Sequence, residues 1–316
     1  NASSHITTTL WRDALDHGDS QPNNSISEAT SIQPDSLACL IYTSGTGGTP
    51  KGVMLSHRSI LCNCVGAYNL LLALGLEDEV FLSFLPLSHS YEHSCGLMFP
   101  VSIGAQIYYS EGLDKLSSNL TEVRPTLMTS VPRLYEVMRL KILDGVQRAG
   151  GFKEKLFKLA LYLGRKSYSL GGTLPVHERP LDKLVDKLVR DKVRGRFGGR
   201  LKAMVSGGAP LNFDVGIFFS ALGLRLLQGY GQTEAAPVIS CNPSSKIKLD
   251  TVGPPLAHVE VQLANDGEIL VRGPLLMTGY WGQPTITNET LRGGWLHTGD
   301  IGKIDADGYI TITDRK

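Results

Sequence analysis

The 316-residue sequence predicts an α/β fold: a layered, largely parallel sheet with flanking helices, followed by a small antiparallel β-barrel subdomain. Two observations predict it. Between Leu37 and Ser240, short apolar runs alternate with helical patterns, which is typical of α/β layers. From about Ile247 onward, runs of period two are separated by Asn-Asp-Gly and Asp-Gly turns, which is typical of antiparallel strands.

The core strands are predicted from apolar runs that end at polar or turn residues. They cover residues 37–42, 52–56, 80–85, 105–109, 126–130, 201–205 and 224–227. A helical insert is predicted at about 135–196, between the runs 126–130 and 201–205. Within it, the apolar residues from Leu181 to Val189 recur at i, i+3, i+4, i+7 and i+8, the spacing of one helix face. In the subdomain, strands are predicted at 259–263, 268–272 and 309–313.

The predicted organisation has four parts. They are a polar lead-in at 1–36, the remnant of a truncated upstream part; the core at 37–246; the β subdomain at 247–313; and the start of a hinge at 314–316. Because the chain begins with Asn1 and stops in mid-pattern at Lys316, we expect both ends to be cut.

Composition indicates a soluble globular protein, with 42% hydrophobic residues, 19% charged residues and a net charge of +1. No apolar run approaches the ~20 residues that a membrane helix needs. The five cysteines are an odd number, which favours a reducing cytosol over a disulfide framework. We therefore expect a cytoplasmic protein, with packed thiols at Cys62 and Cys64.

Charge is distributed unevenly. Residues 133–202 hold 18 Lys and Arg but only 7 Asp and Glu. Such a basic helical face can meet an anionic membrane, a nucleotide phosphate or a polyanionic cofactor. A solvated helical surface is an equally good interpretation. No nucleic-acid partner is predicted, and the oligomeric state is left open.

The stretch from Tyr42 to Gly52 concentrates glycines, hydroxyls and one lysine, Lys51. Glycines let backbone N–H groups converge on one point, so the stretch predicts a polyphosphate site. It is not the common P-loop, because Pro50 and Gly52 stand where that motif has glycine and Ser or Thr. Strand-like runs on both sides indicate that the loop joins two strands.

Four further segments have unusual chemistry for their positions. Ser206–Pro210 and Gln228–Glu234 each follow a strand, where open α/β sheets bind ligands. Glu234 is a carboxylate suited to Mg²⁺ beside phosphates. Trp295–Asp300 is predicted to put an acid after a short strand, where it could accept two ribose hydroxyls. Asp314-Arg315 is a charged pair at the end of the chain.

In this order, the motifs resemble those of the AMP-forming adenylate synthetases over about residues 37–316. The opening loop is similar to that family's Thr-Ser-Gly-Thr-Thr-Gly-x-Pro-Lys-Gly signature. Leu85-Pro86-Leu87-Ser88-His89-Ser90-Tyr91-Glu92-His93 and the long insert are similar to those of its long-chain fatty acyl-CoA synthetases.

The resemblance implies ATP-dependent activation of a long-chain fatty acid to an acyl-adenylate and then to acyl-CoA, with ATP, Mg²⁺ and CoA as cofactors. It implies that Thr43, Ser44, Thr46 and Lys51 hold the β- and γ-phosphates, that Thr233 meets the α-phosphate, and that Glu234 and Thr46 hold Mg²⁺. Gly208, Ala209 and Tyr230 would frame the adenine, while Asp300 and Arg315 would bind the ribose. The remaining nucleotide-binding residues so implied are Gly45, Gly47, Gly48, Thr49, Gly207, Pro210, Gln228, Gly229 and Gly231.

The same resemblance assigns the fatty acid to His89, Tyr91 and His93. His89 would lie near the substrate carboxylate and act in catalysis with Lys51, Thr233 and Glu234. His93 would lie near the mouth of the acyl tunnel. A structural hydrogen-bonding role for either histidine is the alternative, and for His93 the two interpretations are balanced.

Two departures from the family matter. Gly47 stands where threonine is usual, which removes one hydroxyl donor from the loop. The family's C-terminal domain, with most of the CoA site, would follow Lys316, so we expect this chain alone to make no acyl-CoA. Two alternatives stay open: a fatty acyl-AMP or aryl-acid ligase of the same superfamily, and a non-catalytic nucleotide-binding remnant.

Overall fold

The computed structural model describes residues 9–20, 30–43 and 50–316. The chain divides into two compact units, Asn1–Ser36 and Leu37–Lys316. In the first unit, helix α1 spans Trp11–Asp19. The predicted loop positions Ser44, Gly45, Thr46, Gly47, Gly48 and Thr49 lie outside the described residues, so their roles stay predictions.

The strands of the second unit are short. They are β1 (Leu37–Thr43), β2 (Lys51–Ser56), β3 (Val80–Ser83), β4 (Gln106–Tyr109), β5 (Leu127–Ser130), β6 (Ala203–Ser206), β7 (Leu226–Gly231), β8 (Val238–Cys241), β9 (Glu260–Leu263), β10 (Glu268–Arg272), β11 (Gly279–Tyr280), β12 (Leu291–Arg292), β13 (Trp295–Ile304) and β14 (Ile310–Arg315).

The helices of the second unit are α-helical except for two π-helical segments, π1 and π2. In chain order they are α2 (His57–Leu71), π1 (Glu92–Met98), α3 (Phe99–Ser102), α4 (Leu116–Val123), α5 (Pro132–Ala149), α6 (Gly151–Ser169), α7 (Arg179–Val185), π2 (Asp186–Arg190), α8 (Asp191–Arg196), α9 (Phe213–Ala221) and α10 (Pro284–Thr290).

The central sheet has six strands in the order β4-β3-β5-β6-β7-β8. All neighbours are parallel except β7 and β8. Adjacent residues of one strand enter opposite hydrophobic clusters: Leu82 packs with α5, α6 and α9, whereas Phe81 packs with α2 and α3. A parallel sheet buried on both faces needs such continuous apolar strands. The predicted α/β fold is therefore confirmed.

Two antiparallel sheets complete the unit. One has the order β12-β13-β10-β9, with β14 also paired to β13, and corresponds to the expected antiparallel subdomain. The other is β1-β2-β11. In it, β1 and β2 pair with Thr43 opposite Lys51, which confirms that the opening loop joins two strands. Because Tyr280 of β11 pairs with Val53 of β2, the later part of the chain contributes to the same sheet.

The local sequence explains where several helices begin. Ser56 caps α2, because its side chain accepts a hydrogen bond from the Ser59 amide at 3.2 Å. Asn212 caps α9 in the same way through the Asp214 amide, at 2.7 Å. Pro132 occupies the first turn of α5, where a missing N–H has no effect on the helix.

The insert is helical, as expected, but its apolar pattern is only half buried. Val185 and Val189 are buried, while Leu181, Leu184 and Leu188 are 42%, 53% and 39% exposed. Leu188 and Val189 lie within π2, so the regular α-helical spacing ends at Val185. The spacing correctly predicted a helical segment, but the three leucines of the predicted apolar face remain partly at the surface.

All five cysteines are free thiols, and Cys62 and Cys64 lie on α2 as expected. Among the helices within the described ranges, none combines the length and the apolar character that crossing a membrane requires.

Candidate active site

One cavity of about 680 Å³ brings together residues that are far apart in the sequence. We call it the main cavity. The predicted site residues that line it are Thr43, Lys51, His89, Tyr91, Gly207, Gly208, Gly229, Tyr230, Gly231, Thr233, Glu234 and Arg315. The ends of β6 and β7 place two of the motifs here, as the position of ligands in open α/β sheets predicts.

Lys51 and Glu234 are joined through Tyr280. The Tyr280 hydroxyl donates a hydrogen bond to Glu234 Oε1 at 2.7 Å. The Lys51 ammonium lies over the Tyr280 ring, 5.1 Å from its centroid. Burial, and then the neighbouring Glu234 carboxylate, raise the pKa of Tyr280, so its hydroxyl stays a donor. Tyr280 thus contacts a cation through its ring face and a carboxylate through its hydroxyl.

Thr233 and His89 are held by residues near π1. The Ser90 and Thr233 hydroxyls lie 3.0 Å apart. The Tyr91 amide donates to His89 Nδ1 at 3.2 Å. A neutral His89 that accepts at Nδ1 carries its proton on Nε2, which can then donate to a substrate oxygen.

Tyr230 and Asp300 form the third part of the site. The Tyr230 hydroxyl donates to Asp300 Oδ2 at 2.6 Å, and Arg315 Nε lies 3.8 Å from Asp300 Oδ1. The expectation that Asp300 follows a short strand was wrong, because it lies inside the ten-residue strand β13. Its position is set by pairing with Arg315 of β14. Both residues are therefore fixed by the sheet rather than by a loop.

Five predicted residues are absent from the lining of the main cavity as the described residues define it: Ala209, Pro210, Gln228, His93 and Asp300. Ala209 and Pro210 are exposed, and Gln228 is buried. Burial lowers the pKa of His93, which favours its neutral form. Their ligand contacts stay predictions.

Part of the lining of the main cavity is apolar. It is formed by Ala67, Leu70 and Leu71 of α2, together with Phe81, Phe99 and Leu127. Phe81 and Phe99 pack edge to face with their ring centroids 5.8 Å apart. Polar groups and apolar side chains thus line one continuous space.

Residues 3–281 match the sequence family of AMP-binding enzymes. The chain belongs to this family. It is 35% identical to the peroxisomal long chain acyl-CoA synthetase 6 of Arabidopsis thaliana, with 100% of this chain and 45% of that protein covered. It is 33% identical to the long-chain-fatty-acid–CoA ligase FadD15 of Mycobacterium bovis, over 88% and 46% of the two chains.

Solved structures show the same fold. ATP-bound MatB of Rhodopseudomonas palustris is 25% identical, with a TM-score of 0.65, over 90% of this chain and 49% of that one. The O-succinylbenzoate CoA synthetase of Bacillus subtilis, solved with ATP and a magnesium ion, is 23% identical, with a TM-score of 0.65, over 90% and 51%. The chain spans about half the length of the curated relatives it matches.

In this AMP-binding enzyme, a buried glutamate supports the segment that carries His89 and Tyr91. Glu92 is 0% exposed and accepts hydrogen bonds from Ser83 Oγ at 2.6 Å and Thr129 Oγ1 at 2.9 Å. Burial raises the pKa of Glu92. Gly96 leaves room for it, since a Cβ there would lie 2.4 Å from Glu92 Oε1. Glu92 therefore ties π1 to β3 and β5.

Sequence reasoning missed Tyr280, Ser90 and Glu268, which line the main cavity, and Glu92, which supports the segment beside it. Ser90 and Glu92 lie inside a motif that was recognised, so their neighbours could have indicated them. Glu268 is 4% exposed and accepts a hydrogen bond from the Gly299 amide at 3.0 Å. Tyr280 had no local signal, because its role depends on pairing between β11 and β2.

Proposed function

We propose that the full-length protein activates a long-chain fatty acid with ATP and then transfers the acyl group to CoA. The observation that carries this proposal is the main cavity, whose polar lining groups suit a nucleotide and whose apolar lining suits an acyl chain. The names of the curated relatives and the ATP-bound state of MatB support the same assignment.

In the first step, a carboxylate oxygen of the fatty acid bonds to the α-phosphorus, and the bond to pyrophosphate breaks. Both reactants are anions, so the site must offset their repulsion. Lys51 and the hydroxyl of Thr43 serve the departing phosphates, with Ser44 and Thr46 as further donors. Thr233, held by Ser90, meets the α-phosphate, and His89 Nε2 orients the attacking carboxylate.

The donor set fits a magnesium ion bound mainly through phosphates. Within the described residues, no cluster of three or more His, Cys, Asp or Glu side chains could hold a metal ion by itself. Mg²⁺ usually takes one or two carboxylates together with phosphate oxygens and water. Tyr280 donates to one oxygen of Glu234, so the other oxygen would be the one available to the ion. The ion would neutralise charge on the leaving pyrophosphate.

In the second step, the CoA sulfur bonds to the acyl carbon, the bond to AMP breaks, and the thiol proton goes to solvent. Gly208 and Tyr230 frame the adenine, while Asp300 and Arg315 hold the ribose hydroxyls. The Tyr230–Asp300 hydrogen bond supports this pairing, because it orients one carboxylate oxygen and leaves the other facing Arg315.

A hydroxylamine-trapping assay of the full-length protein tests the proposal. Palmitate, octanoate and benzoate are each supplied with ATP, with and without CoA. We expect palmitoyl hydroxamate without CoA and palmitoyl-CoA with it. Preference for benzoate would indicate an aryl-acid ligase, and hydroxamate without any CoA product would indicate an acyl-AMP ligase. If the protein binds ATP but yields hydroxamate from none of the acids, it is a non-catalytic nucleotide-binding protein and not a ligase.

A further inference from the structure

A second cavity lies in the helical part of the chain, away from every residue assigned to the reaction. It has a volume of about 510 Å³ and is lined only by residues between Leu113 and Phe197. We call it the insert groove. The α5 residues that line it follow helical spacing, from Leu134 through Met138 and Ile142 to Val146. Exposed Phe152 and Leu188 extend the apolar surface at its edge.

The charged residues that line the insert groove are all cations. They are Lys141, Lys153, Lys192 and Arg196. Lys192 and Arg196 lie one helical turn apart on α8. Like charges at this spacing repel each other, so an anion between them would stabilise the arrangement.

The acidic residues nearby are already engaged elsewhere. All seven Asp and Glu of residues 133–202 form salt bridges, and their partners are Arg133, Arg148, Lys158, Lys166, Arg190 and Arg194. Among the salt bridges of the described residues, none involves a cation of the insert groove. The apolar groove is therefore bordered by four cations that form no salt bridge with any described acidic side chain.

We propose that the insert groove is a binding site for a long-chain acyl-CoA. The acyl chain occupies the apolar floor, and the phosphates of the head meet the four cations. A fatty acid with one carboxylate would leave most of that positive charge unopposed, whereas a head with several phosphates balances it. The identity of the ligand rests on the proposed function, since acyl-CoA is the product of that reaction. The groove and its cations are features of the structure and do not depend on the proposed function.

The shape of the site favours a single chain over a membrane surface. A concave groove encloses one apolar chain, as ligand pockets generally do. A membrane-docking face instead presents its apolar residues outward to the bilayer. Docking on an anionic bilayer is therefore the competing outcome of the test.

Photo-crosslinking of the full-length protein with a palmitoyl-CoA analogue tests the proposal, with a diazirine at the end of the acyl chain and peptide mapping by mass spectrometry. We expect labelled peptides from α5 and α6 in addition to peptides of the main cavity. Unlabelled palmitoyl-CoA should remove the α5 and α6 labels, and palmitate at the same concentration should leave most of them.

Gly145→Leu places a side chain in the insert groove from a position where an added Cβ meets none of the described atoms within 4 Å. We expect loss of the α5 and α6 labels while hydroxamate formation is unchanged. Gly195→Leu is the matched control: another helical glycine with open space at its Cβ, outside the groove lining. It should retain the labels. Lys141→Glu combined with Lys153→Glu should lose them too.

Two results would overturn the proposal. One is the absence of α5 and α6 labels in full-length protein whose main cavity is labelled. The other is removal of those labels by phosphatidylglycerol vesicles but not by palmitoyl-CoA, which would make this face a membrane-docking surface. If the labels appear but no acid yields hydroxamate, the proposed function fails and the insert groove stands.

Discussion

The main cavity, of about 680 Å³, is lined by residues from Thr43 to Lys316, whereas the insert groove, of about 510 Å³, is lined only by residues 113–197. In the main cavity, polar groups are paired with each other, as in Tyr280–Glu234 and Ser90–Thr233. In the insert groove, the cations have no salt-bridge partner among the described residues.

The difference separates two ways of preparing a site. Hydrogen bonds between side chains preorganise part of the main cavity, so the paired groups have a set orientation before a ligand binds. The insert groove provides apolar area and charge without fixed hydrogen bonds. Substitutions should therefore affect catalysis in the first region and stability or ligand retention in the second.

The largest effect is expected for Glu234→Gln in the full-length protein. The amide can still accept from Tyr280, but it carries no charge for Mg²⁺. We expect adenylation to fall by about 10²–10³-fold, the scale of losing one electrostatic group in an active site. Pyrophosphate release, measured against Mg²⁺ concentration, should show a higher metal requirement.

Glu260→Gln is the control for that substitution, because Glu260 pairs with Arg272 at the exposed surface of the antiparallel sheet. It should leave adenylation unchanged. If Glu234→Gln leaves the Mg²⁺ requirement unaltered, Glu234 does not bind the metal ion and this prediction is wrong.

The second effect concerns stability in the insert. Gly164 of α6 contacts α9 so closely that a Cβ would lie 2.4 Å from Ala221 Cα. Gly164→Ala should therefore destabilise the fold by about 1–3 kcal/mol, as overpacking does. Gly145→Ala, on the open side of α5, should stabilise it by about 0.5–1 kcal/mol, because alanine favours helices over glycine.

Chemical denaturation followed by circular dichroism measures both variants. Opposite signs from two helical glycines would show that the insert is packed on one side and open on the other. Equal destabilisation by both substitutions would mean that the insert groove is filled in the full-length protein.

The same contrast shows what the sequence could predict. Parallel strands and the insert helices follow from local periodicity, and the residues around the nucleotide follow from motif order. Tyr280 could not be found in this way, because it reaches Glu234 only after β11 pairs with β2. Asp300 was recognised but misplaced, since the length of β13 depends on its partners β10 and β14. The insert groove could not be predicted either, because it depends on which faces of the insert helices remain unpacked in the folded chain.

A smaller effect is expected for Tyr280→Phe. The ring under Lys51 remains, while the hydrogen bond to Glu234 is lost. We expect adenylation to fall about tenfold, or ~1.4 kcal/mol, near the lower end for a hydrogen bond to a charged group. If the pairing only supports the fold, the unfolding midpoint should drop and the KM for ATP and Mg²⁺ should not change.

The smallest expected effect lies in the loop between β1 and β2. Gly47→Thr would restore the hydroxyl that the family usually has and reduce the freedom of the loop before ATP binds. Each contribution is a fraction of a kcal/mol to about 1 kcal/mol, so the KM for ATP should fall about two- to fivefold. Steady-state kinetics of the full-length protein at saturating fatty acid would measure it. Gly18→Thr, at an exposed helical position with open space at its Cβ and outside the lining of the main cavity, serves as the control. An unchanged KM in Gly47→Thr would mean that the backbone amides, with Lys51 and Thr43, already hold the phosphates as firmly as the loop allows.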